Sequence, residues 1–213
     1  MQIKQFTFNP FQENTFIIYA ENKEAIIIDP GFYEKSEQDT FFDFINKNQL
    51  NPIALLNTHA HIDHVLGNNL VVSKFNIPYH LHALDVPVLE SVKNYAHLYG
   101  FQSYLESPSP TNYLEEGKSV FLNNKEIKVL HTPGHSPGHV VFYLPEDNMV
   151  INGDVLFKGS FGRVDLPGGD LETLKKSIHE VMFSLPEETL VYCGHGPETT
   201  IGNEKRSNYI LSF

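Results

Sequence analysis

Cysteine is almost absent from this chain: Cys193 is the only one in 213 residues. A lone cysteine excludes a disulfide framework and an all-cysteine metal site, and it accords with a reducing cytoplasm. No run of eighteen apolar residues occurs, which excludes a membrane-spanning helix. The first residues, Met1-Gln2-Ile3-Lys4-Gln5-Phe6, lack the apolar core and cleavage site of a secretory leader. Basic residues are few: 15 Lys and Arg stand against 26 Asp and Glu, for a formal net charge of -11. That balance argues against nucleic acid or an anionic membrane as the main partner. The expectation is a cytoplasmic monomer or homodimer. With 41% hydrophobic residues, it can bury its core as a single domain over residues 1–213.

Histidine, by contrast, is concentrated. In Thr58-His59-Ala60-His61-Ile62-Asp63-His64, three imidazoles and a carboxylate fall within six residues, just after the apolar run Ile53-Ala54-Leu55-Leu56. The run reads as a short buried strand, with Asn57-Thr58 as its polar exit. His59, His61 and Asp63 share a parity of two, so an extended exit segment sends them to one side. His64 breaks that parity and stands before residues 65–72, which can begin a helix. A turn from strand into helix brings all four groups towards one point. Imidazole nitrogen with carboxylate oxygen suits zinc, iron or manganese.

The first third of the chain reads as β: residues 3–8, 15–19 and 25–28 alternate or run apolar, with Asn9-Pro10 and Glu21-Asn22-Lys23 as turns. Ser36 and Asp39 resemble a capping box for a helix to about Asn46, with Phe41, Phe42 and Ile45 inward. A helix follows near 67–75 and a strand near 79–81. Residues 83–118 suggest a helix and then a Ser/Pro loop, studded with Tyr95, Tyr99, Phe101, Tyr104 and Tyr113. These aromatics are either core packing or a lid over a substrate. Further strands are expected at 126–130, 140–143, 149–151 and 190–192. Asp170 is placed to cap a helix through Met182, and a last helix covers 203–210. Strands in both halves with helices between them imply a layered α/β domain.

Ligand types recur just past strand ends. His135 follows the strand ending at Leu130, Asp154 the one ending at Ile151, and His195 the one ending at Tyr192, each beside a glycine. Open α/β sheets place their sites at such ends. His131 and His139 lie four residues either side of His135, but Pro133, Gly134, Pro137 and Gly138 forbid a helix there. They are expected at strand edges or behind the ligands. His80 and His82 alternate in a strand, and His97 and His179 look like helix-surface residues. Cys193 reads as a small buried residue. Asp29 emerges from Ile26-Ile27-Ile28 at the same edge. It is expected either to accept a hydrogen bond from a ligand histidine or loop backbone, or to cap the Pro30-Gly31 turn.

The set His59, His61, Asp63, His64, His135, Asp154 and His195 resembles the metal site of the metallo-β-lactamase fold superfamily. The segment from Gly153 to Asp170 is similar to that of the short glyoxalase II-like hydrolases. The resemblance implies a four-layer αββα sandwich holding two divalent ions, foremost zinc, with iron or manganese as alternatives. By it, His59, His61 and His135 hold one ion, Asp63, His64 and His195 the other, and Asp154 bridges them. It implies hydrolysis of a small-molecule thioester, a hydroxyacyl-thiol such as S-lactoylglutathione. A water shared by the two ions, with its pKa lowered to roughly 7, would act as hydroxide, and Asp63 would orient it and take up its proton. Lys158 and Arg163 are the candidates for holding an acidic thiol. A β-lactamase of this fold commonly has cysteine where Asp154 stands, which argues against antibiotic hydrolysis. The chain also lacks, after Phe213, the helical domain that helps full-length glyoxalase II bind glutathione, so the thiol stays open. Two rivals are carried: a persulfide dioxygenase with one iron on His59, His135 and Asp154, and a metal-stabilised binding module without catalysis.

Overall fold

The computed structural model describes residues 1–213, which form two compact units, Met1–Tyr113 and Leu114–Phe213. Each is built on a six-stranded sheet.

The first unit opens with β1 (Gln2–Phe8), β2 (Glu13–Tyr19) and β3 (Glu24–Ile28), an antiparallel meander. Helix α1 (Lys35–Lys47) then crosses to β4 (Asn51–Leu56), which pairs parallel with β3. Two short helices follow, α2 (Ile62–Val65) and α3 (Asn68–Phe75), and lead to β5 (Tyr79–His82), parallel to β4. Helix α4 (Val86–Tyr95), a 3-10 turn over Ala96–Tyr99 and a loop precede the edge strand β6 (Asn112–Leu114). Parallel strands buried on both faces read as continuous apolar runs, and Ala25, Ile26, Ile27 and Ile28 are all fully buried. Phe6, Phe8, Ile17, Ile27, Phe32, Phe41 and Ile45 form the core beneath α1. The Phe32 and Phe41 rings there lie 4.7 Å apart at 37°.

The second unit runs β7 (Ser119–Leu122), β8 (Lys125–His131), β9 (Val140–Leu144) and β10 (Met149–Gly153), all antiparallel neighbours. A small hairpin of β11 (Leu156–Phe157) and β12 (Ser160–Phe161) comes next. Helix α5 (Leu171–Lys176) leads through a wider π turn to β13 (Leu190–Cys193), parallel to β10, and then to β14 (Thr199–Thr200) and α6 (Ile201–Ser207). Leu174, Ile178, Met182, Val191, Ile201 and Ile210 close the core over this sheet. No helix is long and apolar enough to cross a membrane.

Several boundaries differ from the expectation. The cap of α1 is Glu34 with Glu37, not Ser36 with Asp39. The Glu37 carboxylate accepts from the backbone N–H groups of Tyr33 (2.8 Å), Glu34 (3.0 Å) and Asn9 (2.7 Å), so it also anchors the β1–β2 turn. Both pairs carry an acid three residues on, and only tertiary contacts separate them. The helix opening at Asp170 starts as expected, with Thr173 N–H donating to its Oδ1 at 2.8 Å, but it loosens into the π turn at Ser177. The last helix begins earlier, at Ile201, and ends at Ser207. Removing the three-donor acceptor with Glu37→Ala should lower stability by about 2 kcal/mol, whereas Ser36→Ala should stay within about 0.5. Urea unfolding midpoints of the two variants check this; equal shifts would contradict the cap assignment.

Candidate metal centre

Strand direction sets the arrangement of ligands within each unit. In the first, β3 and β4 run parallel, so Asp29 and His59 leave the sheet at one edge. The backbone N–H of Asp29 closes that edge on Leu56 O at 3.1 Å. His59, Ala60 and His61 follow, with His61 extended at ψ 152° as the residue before α2. The chain turns helical at Ile62, three residues earlier than the helix expected from residue 65. Asp63 therefore stands on a helical turn with His64, not on an extended segment with His59 and His61. The rings of His59 and His64 end 4.2 Å apart, and those of His59 and His61 4.8 Å apart. His64 Nε2 lies 3.8 Å from Asp63 Oδ2.

Asp29 is the hub of this half. It is buried and accepts from Thr58 N–H (2.8 Å), Asn57 Nδ2 (3.1 Å) and Thr58 Oγ1 (2.6 Å). His64 Nδ1 lies 3.1 Å from its Oδ2 and donates there, because a carboxylate only accepts. Thr58 spends its hydroxyl proton on Asp29, so its oxygen must accept from His59 Nδ1, 3.0 Å away. One carboxylate thus holds two imidazoles in the Nδ1–H tautomer and turns Nε2 outward on both. The Pro30-Gly31 turn uses other partners: Gly31 N–H donates to Thr15 Oγ1 at 2.8 Å.

In the second unit, β8 is antiparallel to β9, and β9 to β10, while β13 is parallel to β10. β8, β10 and β13 therefore point the same way, and the residues past their ends, His135, Asp154 and His195, emerge at one edge. Asp154 Oδ2 lies 3.6 Å from His135 Nε2 and 3.4 Å from His195 Nε2. These gaps exceed a good hydrogen bond. They match the spacing of ligands sharing an ion, since two donors ~2.1 Å from one ion at the tetrahedral angle stand ~3.4 Å apart. His135 Nδ1 donates to Arg163 O at 2.7 Å, and its Nε2 is the atom that faces Asp154. Two glycines make the approach possible. A Cβ on Gly194 would collide with Asp154 Oδ1, and one on Gly134, at φ 126°, with the Leu174 backbone.

The donor set suits divalent metal: imidazole and carboxylate ligands, with His64 and His135 held at the second ring nitrogen by a carboxylate and a carbonyl and His59 by a hydroxyl. Asp29, His59 and His64 also form one cluster of ligand atoms within 4.8 Å of one another. Asp29 already accepts four hydrogen bonds there, so we assign it to orienting the rings.

Three supporting residues were missed in the sequence. Glu13 is buried beside His64, with Oε1 3.8 Å from Nδ1 and Oε2 accepting from Thr15 Oγ1 at 2.9 Å. Burial pushes its carboxyl well above the usual range; His64 pulls it down, and Asp29 pushes it up again. Its one signal was an acid two residues ahead of the strand expected at 15–19. Asp85, also buried, accepts from Ala60 N–H at 2.8 Å and pins the loop between His59 and His61. Asn68 Nδ2 donates to Asn57 Oδ1 at 2.8 Å, extending the network behind Asp29. His139, expected behind the ligands, accepts from Asp154 N–H through Nε2 at 3.1 Å. His131 meets Pro137 O at 3.0 Å, at the end of its strand. His80 faces Asn112, and burial lowers its pKa; His82 Nδ1 accepts from Leu84 N–H. His97 and His179 are exposed.

The proposed substrate residues are less built. Lys158 is exposed in the β11–β12 turn. Arg163 is exposed, and its Nε and Nη2 both donate to Asp165 at 2.7 Å, which pulls the Asp165 carboxyl down to about 2. Its backbone carbonyl is the part that touches His135.

The metallo-beta-lactamase superfamily model matches residues 8–195. The chain belongs to that superfamily. The hydroxyacylglutathione hydrolase GloC of Haemophilus influenzae is 36% identical over 100% of this chain and 99% of its own. Among solved structures, BLEG-1, a B3 metallo-beta-lactamase, superposes with TM-score 0.90 at 38% identity over all of both chains. TTHA1623 in a di-iron-bound form gives 0.88 at 41% identity over 98% of this chain and 100% of that one. The superfamily fold expected from the ligand pattern is therefore the fold of this chain.

Two outcomes follow from this geometry. Asp29→Asn should weaken metal affinity 10–100-fold, read by chelator competition, because two rings lose their orienting acceptor; unchanged affinity would leave Asp29 a loop residue only. Burial, then the charges of Asp154 and Glu204, push the Cys193 thiol up to about 12. At pH 8 it stays protonated, so iodoacetamide should label it only after unfolding. Rapid labelling of the native protein would contradict its placement.

Proposed function

We propose that this chain is a binuclear metal-dependent hydrolase that cleaves a thioester of the hydroxyacyl-thiol type. The observation that carries the reading is Asp154, a carboxylate set 3.4 and 3.6 Å from two imidazole nitrogens at the end of parallel-running strands. In the proposed ligand sets, His59, His61 and His135 hold one ion, Asp63, His64 and His195 the other, and Asp154 is shared. Once bound, the ions supply a water acidified to roughly pKa 7 and a Lewis acid for the carbonyl.

The chain's own residues do the positioning. Asp29 fixes the His59 and His64 rings, and the Arg163 carbonyl fixes His135. His139 holds the backbone of Asp154. Asp63, partly exposed on its helical turn, is placed to orient the attacking water and take its proton. The leaving group decides the substrate class. A thiol of pKa near 8.5 departs as thiolate without a proton donor, and no side chain of the ligand motif is an evident acid for a leaving amine. The likeness to GloC over the whole chain supports the same class. Zinc is the metal we favour, and iron is the alternative supported by the di-iron form of TTHA1623.

The reading is tested on zinc-loaded and iron-loaded protein with three substrates: S-lactoylglutathione, glutathione persulfide with oxygen uptake, and a β-lactam, since BLEG-1 carries that name. Thiol release from the thioester is expected, with weak saturation. Arg163→Ala should raise KM more than it lowers kcat, the sign of lost uniform binding. Oxygen uptake or β-lactam opening without thioester cleavage would overturn the proposal.

A further inference from the structure

We propose that Phe11, Tyr95 and Tyr99 form a rigid aromatic wall that receives the acyl group, so that the enzyme favours 2-hydroxyacyl groups bearing an aryl substituent over lactoyl. The occupant's identity rests on the thioester reading; the wall itself rests on the first unit alone. Phe11 lies in the β1–β2 turn and Tyr99 in the 3-10 turn after α4, yet their rings meet edge to face at 5.7 Å. Tyr95 packs on Tyr99 in the same manner at 5.8 Å. Behind them Phe101 is buried, 6.1 Å from Phe11 and 4.9 Å from Tyr33. The front stays open: Phe11 is 40% exposed and Tyr99 50%.

Such a patch is costly to leave in water without a use, and its connections point to the metal ligands. Asn9 accepts from Phe11 N–H at 2.9 Å, while its Nδ2 donates to Gly31 O at 2.9 Å and to Asp63 O at 3.1 Å. The turn that presents Phe11 is thus bolted to the backbone of a proposed ligand. A preformed aromatic surface loses little freedom on binding, and stacking adds to area burial. A methyl group is too small to use it; a phenyl ring is not.

The test uses the metal-loaded protein and the two product acids, lactate and mandelate, in calorimetric titrations, beside kinetics on the lactoyl and mandeloyl thioesters of glutathione. Mandelate should bind about tenfold more tightly than lactate, with KM for the two thioesters ordered the same way. Phe11→Ala and, separately, Tyr99→Ala should each bring the two acids to within about twofold, with circular dichroism unchanged. Equal binding of the acids by the wild type, or a preference that survives both substitutions, would overturn the wall. Preference for mandelate without any thioester cleavage would support the wall and defeat the thioester reading instead.

Discussion

A carboxylate taken out of water must be surrounded by donors, and Asp29 meets that demand with Thr58, Asn57 and His64. The rest of the first half-site depends on this. Asp29 sits at φ 48°, a left-handed conformation that Asp tolerates better than most residues. From there its carboxylate reaches the exit of β4 at Asn57 and Thr58. By accepting from His64 directly and from His59 through Thr58, it sets two tautomers with one charge. Burial pushes the neighbouring Glu13 carboxyl well above the usual range, His64 pulls it down, and Asp29 pushes it up.

The second half-site depends on direction more than on charge. Three strands that point the same way deliver His135, Asp154 and His195 to one edge, and loop glycines let the backbone come close enough for their side chains to converge. A Cβ at Gly134 or Gly194 has nowhere to go. Backbone groups then finish the placement: Arg163 O accepts a hydrogen bond from His135 Nδ1, and the Asp154 N–H donates to His139 Nε2. In both units a rigid sheet carries the ligands while polar side chains behind them choose which atom is presented.

Much of this was legible in the sequence. The ligand types past strand ends, the apolar strands and Asp170 as a cap could all be read, because each rests on local period or local chemistry. The hydrogen bond from His64 to Asp29 was one of two readings left open there. What escaped was decided at long range. Glu37 outcompetes Asp39 as the cap partner because Asn9, twenty-eight residues away, also needs its carboxylate. Asp63 is helical because the chain turns at Ile62 to pack Ile62 and Val65 into the core, against the parity that His59 and His61 follow. Asp85 and Glu13 carry no motif; only burial beside the ligands reveals them.

In the proposed centre, seven side chains would serve two ions. The most direct measurement is elemental analysis of protein purified without added metal, then soaked in zinc or iron and dialysed, for the wild type and Asp154→Asn. Two ions per chain are predicted for the wild type, with the second held more weakly in the variant, since a neutral amide would replace the carboxylate proposed to serve both ions. A single tightly held ion in the soaked wild type, with no loss in the variant, would contradict the binuclear centre.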